Sequence, residues 1–306
     1  MKRTSDYLNE IARQSDLFYE LTDEERDALK KCLLSIYIDV KSVCDKYGLT
    51  LMLGGGSVLG AVRHKGFIPW DDDFDMMMPR EDFDKLKEVF EKELSDKYIL
   101  SVPRYRGLCT SLYMQILKSN TVLKTPFNKT GYDNVLVDIY AIEKMPDILL
   151  LRKLKCFFLD LLRIISLSIS EYKNRKIRSK YFKKDRVASI YYKTRCIIGF
   201  IFSALGRERM YGFFDKLASS STGMDYCTIP TGRRMSYGEC LKREVFFPVS
   251  KGSFEGMEVN LPHNPDVYLK NLYGDYMQIP PVERRERHFY TGIDLSSEFF
   301  IERKDV

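Results

Sequence analysis

Histidine, tryptophan and closely spaced cysteine pairs are scarce in this sequence. Its 306 residues include three histidines and one tryptophan, and no two of its seven cysteines stand at Cys-x-x-Cys spacing. A zinc site built from cysteine and histidine is therefore not expected, and scattered cysteines are typical of reduced thiols in a cytosolic protein. The sequence also lacks an uncharged apolar stretch of 18 residues and an apolar signal-like start, so neither a spanning helix nor a secretory signal is predicted.

Positive charge is concentrated in the middle of the chain. The formal net charge is only +6, which gives no reason to expect nucleic acid as a partner, but residues 152–209 hold 16 Lys or Arg against four Asp or Glu. This stretch is a basic insert in an otherwise acidic protein. Its apolar-plus-basic helical pattern is typical of a surface that lies on an anionic membrane. A helix packed on the main domain with a charged outer face is the alternative.

Hydrophobic periodicity predicts helices and strands on both sides of this insert. Helices are expected at 24–47, 57–63, about 80–95, about 147–170, 186–205 and between Asn264 and Gly274. Strands are expected at 50–53, 73–78, 97–102, 112–118, 134–142, 245–249 and 257–261. Three parts follow from this order: a core at 1–146, a helical insert at 147–225, and a part at 226–306 that completes the core.

The most informative motif joins a glycine turn to an acidic strand. A glycine turn between a strand and a helix, here Gly54–Ser57, lets backbone N–H groups approach a phosphate closely. Four aspartates follow within residues 71–75, and alternation along a strand puts Asp73 and Asp75 on one face. Neighbouring carboxylates repel each other unless a cation lies between them, and such oxygen ligands suit Mg²⁺ shared with a substrate phosphate. A solvated acidic turn is the alternative.

A third carboxylate, Asp138, interrupts the almost wholly apolar run Val135–Ile142. A lone carboxylate in a buried strand is costly unless it pairs with a cation or binds a metal. The alternative is a buried aspartate that caps a turn or pairs with an arginine. Together with the acidic strand, Asp138 completes the ligand set expected of a metal-dependent phosphoryl-transfer site.

These motifs together resemble the nucleotidyltransferase fold of the polymerase-beta type, and more narrowly the LicD family. The resemblance rests on the run Gly60–Asp75, on Val137–Tyr140, and on a third block between Phe254 and His288, in family order from about 50 to 290. It implies an α+β fold in which a mixed sheet is flanked by helices, with the catalytic core at 1–146 and 226–306. The insert at 147–225 matches no part of the family pattern.

The resemblance also implies an activity. Members of the family move a phospho-alcohol, best known as phosphocholine from CDP-choline, to a hydroxyl of a surface glycan such as teichoic acid or lipopolysaccharide, while fukutin-type relatives use CDP-ribitol. A CDP-alcohol donor, Mg²⁺ (or Mn²⁺), release of CMP and a glycan acceptor on a lipid carrier are therefore expected. The metal ligands would be Asp73, Asp75 and Asp138, and one of these or Asp71 would take the acceptor proton. Such a protein is expected in the cytoplasm, at the inner face of the plasma membrane.

Substrate contacts are expected from residues around the acidic motif. Phosphate would be met by Gly55, Gly56 and Ser57, and by Arg63 and Lys65, for which an exposed polar loop is the alternative. A choline head would lie on the aromatic faces of Trp70, Tyr273 or Tyr276 by cation–π attraction, with ordinary packing as the alternative. A late basic cluster meets phosphate or only solvates a tail; it consists of Arg284, Arg285, Arg287 and His288.

Two other functions share parts of this pattern. A nucleotidyltransferase that adds a nucleotide to a small molecule or an RNA end would use the same three carboxylates but release pyrophosphate. A non-enzymatic basic module that docks on a membrane or on nucleic acid through residues 152–209 would not need the aspartates.

Overall fold

A mixed sheet of seven strands organises the fold. A computed structural model describes residues 20–105, 107–125, 132–178, 186–282, 285, 288 and 290–295. Its strands are β1 (Met52–Leu53), β2 (Asp75–Pro79), β3 (Tyr98–Ser101), β4 (Met114–Lys118), β5 (Val122–Lys124), β6 (Leu136–Met145), β7 (Tyr226–Thr228), β8 (Leu241–Lys242), β9 (Ser250–Phe254), β10 (Met257–Leu261) and β11 (Gly292–Asp294).

The large sheet has the order β1-β2-β6-β4-β3, with β7 beside the far end of β6 and β8 beside β7. Strands β2 and β6 run parallel, and the other neighbours in this sheet run antiparallel. Two further pairs, β9 with β10 and β5 with β11, stand outside it. The mixed sheet confirms the coarse fold prediction. Through β7, the segment that follows the insert returns to the same sheet.

Helices cover the sheet and fill the insert. They are α1 (Asp23–Tyr47), α2 (Gly55–Arg63), α3 (Arg80–Glu93), α4 (Leu149–Lys173), α5 (Arg175–Arg178), α6 (Arg186–Phe202), α7 (Arg207–Ala218), α8 (Met235–Gly238) and α9 (Pro265–Tyr273). The predicted long first helix is confirmed, because Thr22 and Glu25 form a capping box and Gly48 ends the helix at φ 66°. The predicted helix between Asn264 and Gly274 is confirmed as well.

Two predicted boundaries near the acidic motif are wrong. Helix α2 begins at Gly55 rather than at Ser57, so the glycines form its first turn. A Cβ on Gly55 would lie 2.6 Å from Asp75 Oδ2, which is why the close approach of the helix to the strand requires glycine. Strand β2 begins at Asp75 rather than at residue 73, so Asp73 precedes the strand.

The strand predicted at 245–249 is also wrong. The amides of Phe246 and Phe247 both donate to the carbonyl of Arg243, which makes a turn, and Pro248 has no N–H for a strand ladder. The neighbouring hairpin starts later, at Ser250, and its second strand β10 confirms the prediction at 257–261.

Helix α4 turns two basic side chains inward and a mainly apolar face outward. Arg152 donates to the carbonyls of Pro146 and Asp147, and Lys155 donates to the carbonyl of Ala218 at 2.8 Å. Phe157, 60% exposed, is one of the exposed apolar side chains of the helix, which are Leu149, Leu150, Leu151, Leu154, Phe157, Phe158, Leu161 and Leu167. The helix is packed, as the alternative for this segment expects, but its outer face is mainly apolar rather than charged. Within the described ranges, no helix is both long and apolar enough to cross a membrane.

A buried ion network ties the sheet to the insert. Arg80, at the start of α3, donates to Glu143 of β6 and to Asp215 Oδ1 of α7, the latter at 3.0 Å. Arg104 donates to the other oxygen of Asp215 at 3.2 Å, but its side chain is 50% exposed. Because the Glu143 side chain is almost fully buried, its charge depends on Arg80.

Replacing Arg80 should destabilise the fold far more than replacing Arg104. Arg80→Met leaves the buried carboxylate of Glu143 without its partner, and we expect a loss of about 3–5 kcal/mol in the free energy of unfolding. Arg104→Met removes a half-exposed ion pair, for which the expected loss is about 1 kcal/mol or less. Urea denaturation of both variants measures the difference. Equal losses would contradict the assignment of Arg80 as the link between sheet and insert.

Candidate functional site

A cavity of about 710 Å³ lies beside the start of β2 and gathers most of the predicted site residues. Eleven of the thirteen line it: Gly55, Gly56, Arg63, Trp70, Asp71, Asp73, Asp75, Asp138, Tyr273, Tyr276 and His288. Ser57 is buried outside the wall, where its hydroxyl accepts the amide of Asp75 at 2.9 Å. Lys65 is exposed, and its carbonyl accepts the amide of Glu255. The structure therefore separates Ser57 and Lys65 from the cavity wall.

The parallel pair of strands brings two of the aspartates together. Asp75 of β2 and Asp138 of β6 are direct neighbours in the register. The hydroxyl of Tyr140 lies 3.3 Å from Asp75 Oδ1 and 3.5 Å from Asp138 Oδ2, so it spans both carboxylates. Gln115 Nε2 donates to Asp138 Oδ1 at 2.9 Å, which fixes that side chain from β4.

Burial and mutual repulsion oppose ionisation of these carboxyl groups. Burial raises the pKa of Asp71 and of Asp75 well above the usual range, and the nearby charge of Asp73 raises both further. Burial likewise raises the pKa of Asp138 to about 7, although the hydrogen bond from Gln115 lowers it. A cation between these groups would relieve both effects.

Two neighbouring carboxylates could share a cation with a substrate. In the part of the chain that the structure describes, no group of three or more His, Cys, Asp or Glu side chains is placed to hold a metal ion by itself. Mg²⁺ bound together with phosphates needs only one or two carboxylates from the protein and keeps its other positions for substrate and water. Asp75 and Asp138, with Asp73 beside them, supply such ligands on an open wall.

Asp72, which the sequence analysis left without a role, has a separate partner. It is buried, and its two oxygens contact His288 Nδ1 at 2.5 Å and the hydroxyl of Tyr290 at 2.8 Å. Burial alone would lower the pKa of His288, but the hydrogen bond to Asp72 and the surrounding carboxylates raise it to about 10. A protonated His288 thus pairs with Asp72 and holds the late segment against the acidic motif.

The aromatic rings expected to receive a choline head already carry arginines. The guanidinium of Arg285 lies 4.0 Å from the centre of the Trp70 ring, and that of Arg233 lies 5.1 Å from the centre of Tyr273. Tyr276 donates its hydroxyl to Asp266 at 3.0 Å. In this structure the rings of Trp70 and Tyr273 support arginines along the cavity wall. Arg284 and Arg287 of the late basic cluster lie outside the described residues.

The backbone amides of the glycine turn are also engaged. Gly55 donates its N–H to the hydroxyl of Tyr268 at 3.0 Å, and the N–H of Gly56 hydrogen-bonds to Asp75. Arg63 donates to the carbonyl of Tyr276 at 2.6 Å and lines the cavity. Positive charge along the wall therefore comes from side chains, namely Arg63, Arg163, Arg233 and Arg285.

Two lining residues from distant parts of the chain were missed by the sequence analysis. Arg163 of α4 donates to the carbonyls of Pro230 and Gly232 at 3.2 and 2.9 Å, and so fixes the loop that follows β7. Glu239 accepts the amide of Arg234 at 2.8 Å, and burial raises its pKa to about 7. No local spacing links these residues to the aspartates. Only the fold brings them to the same cavity.

Comparison with known proteins supports the family resemblance. Residues 48–144 match the family model described as LicD/FKTN/FKRP, nucleotidyltransferase domain. The chain is 27% identical over 252 residues, 81% of its length and 89% of the relative, to the lipopolysaccharide cholinephosphotransferase LicD of Haemophilus influenzae. It is 28% identical over 126 residues, 39% of its length and 46% of the relative, to an uncharacterized protein of Rickettsia prowazekii. The range that matches the LicD-type domain model thus includes the glycine turn and Asp71, Asp73, Asp75 and Asp138.

Without a cation, the wild-type protein should lose stability as the pH rises. Folding raises the pKa of Asp138 from 3.8 to about 7, so the native chain keeps a proton that the unfolded chain releases in this window. The free energy of unfolding therefore falls with increasing pH. Asp138→Asn removes this contribution. Between about pH 5 and about pH 8, the free energy of unfolding of the variant should therefore fall by up to about 3 kcal/mol less than that of the wild type.

Urea denaturation in the presence of a chelator measures this difference, and Asp45→Asn, on the exposed side of α1, is the control. Added Mg²⁺ should stabilise the wild type more at about pH 8 than at about pH 5, because metal ligands must be deprotonated. Identical pH profiles for wild type and Asp138→Asn would contradict the raised pKa.

Proposed function

From a LicD family domain whose acidic motif faces one cavity, we propose that this protein is a transferase that moves phosphocholine from CDP-choline to a hydroxyl of a lipopolysaccharide-type glycan, with release of CMP. The observation that carries the proposal is the pairing of Asp75 and Asp138 on adjacent parallel strands, facing a cavity that also holds four arginines. The similarity to a lipopolysaccharide cholinephosphotransferase over 81% of the chain supports the substrate class. A polymerase-beta-type nucleotidyltransferase fold is part of this proposal.

The charged side chains on the cavity wall suit the pyrophosphate of such a donor and the metal ion bound with it. Arg63, Arg233 and Arg285 lie along the wall and would neutralise the pyrophosphate of CDP-choline. The carboxylates of Asp73, Asp75 and Asp138 would hold Mg²⁺, or Mn²⁺, which when bound polarises phosphoryl oxygens and helps neutralise the leaving CMP. Tyr140 and Gln115 keep two of these carboxylates in place through hydrogen bonds.

An aspartate of the cavity would also accept the proton of the acceptor hydroxyl. As the acceptor oxygen bonds to the distal phosphorus and the bond to CMP breaks, the hydroxyl proton must leave. Asp71, Asp73, Asp75 or Asp138 would receive it. Burial raises the pKa of Asp71 and of Asp138, which brings these two groups closer to the pH at which a general base works best.

Incubation with Mg²⁺ and CDP-choline, with CMP measured by mass spectrometry, tests the proposal. Asp75→Asn and Asp138→Asn should each lower CMP release by about 10²–10³-fold, because each removes an electrostatic group from the reacting centre. Asp45→Asn, a substitution of the same type on exposed α1, should leave the rate unchanged. Pyrophosphate release from CTP or ATP in place of CMP release would instead assign a nucleotidyltransferase. Near wild-type turnover of the aspartate variants would overturn the catalytic assignment.

The outward face of α4 supports a proposal for where in the cell the protein acts. Eight apolar side chains of this helix are exposed, and the exposed charged side chains of the insert are mostly positive. Within the described part of 147–218, seven are cationic (Lys153, Lys173, Arg175, Lys176, Lys193, Arg209 and Lys216) and two are anionic (Asp147 and Glu208). An apolar face with a positive surround is complementary to an anionic lipid surface. We therefore propose peripheral attachment to such a membrane.

Co-sedimentation with anionic phospholipid vesicles tests this attachment. Replacing Phe157, Phe158 and Leu161 by Ser should lower vesicle binding but not CMP release with a soluble acceptor. Ile38→Ser, an exposed apolar change on α1, is the control. High salt should weaken the electrostatic part of the binding. A wild-type protein that stays in the supernatant at low salt would overturn the proposal. So would a triple variant that changes the oligomeric state in sedimentation velocity and leaves vesicle binding unaltered.

A further inference from the structure

A second cavity of about 430 Å³ adjoins the first. Four residues line both cavities and form the partition between them: Tyr113, Tyr140, Arg163 and Thr231. We propose that the second cavity binds the acceptor sugar and presents its hydroxyl to the donor phosphate across this partition. The inference rests on the proposed function and adds to it the site and the chemical class of the acceptor-binding surface.

The two cavities differ in charge. The first is lined by five aspartates, one glutamate, four arginines and a histidine, and such a charged wall suits a nucleotide donor with a metal ion. Among the described residues that line the second, Arg163 is the only charged one. Its other polar groups are hydroxyls and an amide, with Thr110, Ser111, Gln115 and Ser170 among them. A neutral ligand rich in hydroxyl groups suits such a wall, because protein hydroxyls can donate and accept hydrogen bonds.

The shape and the apolar part of the second cavity also suit a sugar. Its volume falls in the lower part of the range of roughly 300–1,000 Å³ that is usual for small-molecule sites. Tyr132 lines it and is 38% exposed, so an aromatic ring with a polar tip is accessible to a ligand. Leu167 of α4 lines another side and is also 38% exposed. A sugar ring has both apolar C–H faces and hydroxyl edges, and the wall offers groups for each.

A hydrogen-bonded chain connects the second cavity to the reacting centre. Thr110 Oγ1 donates to Gln115 Oε1 at 2.8 Å, and Gln115 Nε2 donates to Asp138 Oδ1 at 2.9 Å. Gln115 and Thr110 line the second cavity, whereas Asp138 lines the first. An acceptor held by the second wall therefore approaches the carboxylate pair from the side of β4, while the glycine turn borders the pair from the side of β1 and α2.

This arrangement gives the transfer a direction. In phosphoryl transfer the attacking oxygen and the leaving oxygen lie roughly in line on opposite sides of phosphorus. An acceptor hydroxyl that enters across Tyr113 and Tyr140 forms the new bond to phosphorus, the bond to CMP breaks within the first cavity, and the proton passes to a carboxylate at the partition. Two adjoining cavities of different charge would let the acceptor and the donor reach the reacting phosphorus from different sides.

Substitutions at the far wall of the second cavity test the inference without touching the carboxylates. Leu167→Trp narrows the cavity, and Tyr132→Ala removes the exposed ring. Leu205→Trp is a matched control, because Leu205 is similarly exposed in the insert but lines neither cavity. The probes are CDP-choline and the water-soluble oligosaccharide released from lipopolysaccharide by mild acid. Isothermal titration gives the affinity for each, and CMP release gives the Michaelis constants.

Leu167→Trp and Tyr132→Ala should each weaken oligosaccharide binding and raise its Michaelis constant about tenfold or more, with the affinity for CDP-choline unchanged. Slow hydrolysis of CDP-choline by water, without acceptor, should also stay at the wild-type rate. Unchanged oligosaccharide affinity in both variants, or no binding of the oligosaccharide to the wild type, would overturn the inference. Oligosaccharide binding that depends on this cavity, in a protein that neither binds nor cleaves CDP-choline, would instead refute the proposed donor and leave the cavity assignment standing.

Discussion

The crowding of carboxylates in one cavity is the constraint on which the rest of the site depends. Asp71, Asp73, Asp75 and Asp138 share the wall, and burial together with repulsion raises the pKa of three of them. Folding alone gains nothing from such a cluster, because each ionised group is unfavourable there. Hydrogen bonds from the Tyr140 hydroxyl, the Gly56 amide and the Gln115 side chain offset part of this cost. A cluster held at this cost is typical of a site that binds a cation.

The insert supplies part of this site rather than only a surface. Arg163 of α4 lines both cavities and fixes the loop after β7, while Arg80 joins the sheet to Asp215 of α7. The basic composition of residues 152–209 led to the expectation of a charged surface, but part of that charge is used inside the protein. Arg152, Lys155 and Arg163 donate to backbone carbonyls, so these three positive charges of α4 help to position loops.

Local signals in the sequence were sufficient for the long helices, for the central strands and for the acidic motif, but not for the short strands. A capping box set the start of α1, Gly48 set its end, and the lone carboxylate in an apolar strand pointed to Asp138. Contacts between distant positions were not accessible in this way. The pairing of Asp72 with His288 joins residues 216 positions apart, and no spacing rule reports it. The inward position of Arg152 and Lys155 was missed for a related reason: periodicity identifies two faces of a helix, but carbonyls elsewhere in the chain decide which basic side chains point inward.

The same helix links the proposed acceptor site to the proposed membrane surface. Leu167 and Ser170, in the second half of α4, line the second cavity, whereas Phe157 and Leu161, nearer its start, belong to the exposed apolar face. If that face lies on a lipid surface, the mouth of the second cavity stands within a few helical turns of it. A glycan that is anchored in the same membrane would then meet the cavity without leaving the surface. A water-soluble nucleotide donor would need no such placement, and the arginines of its proposed cavity come from the core, from the late segment and, with Arg163, from α4 itself.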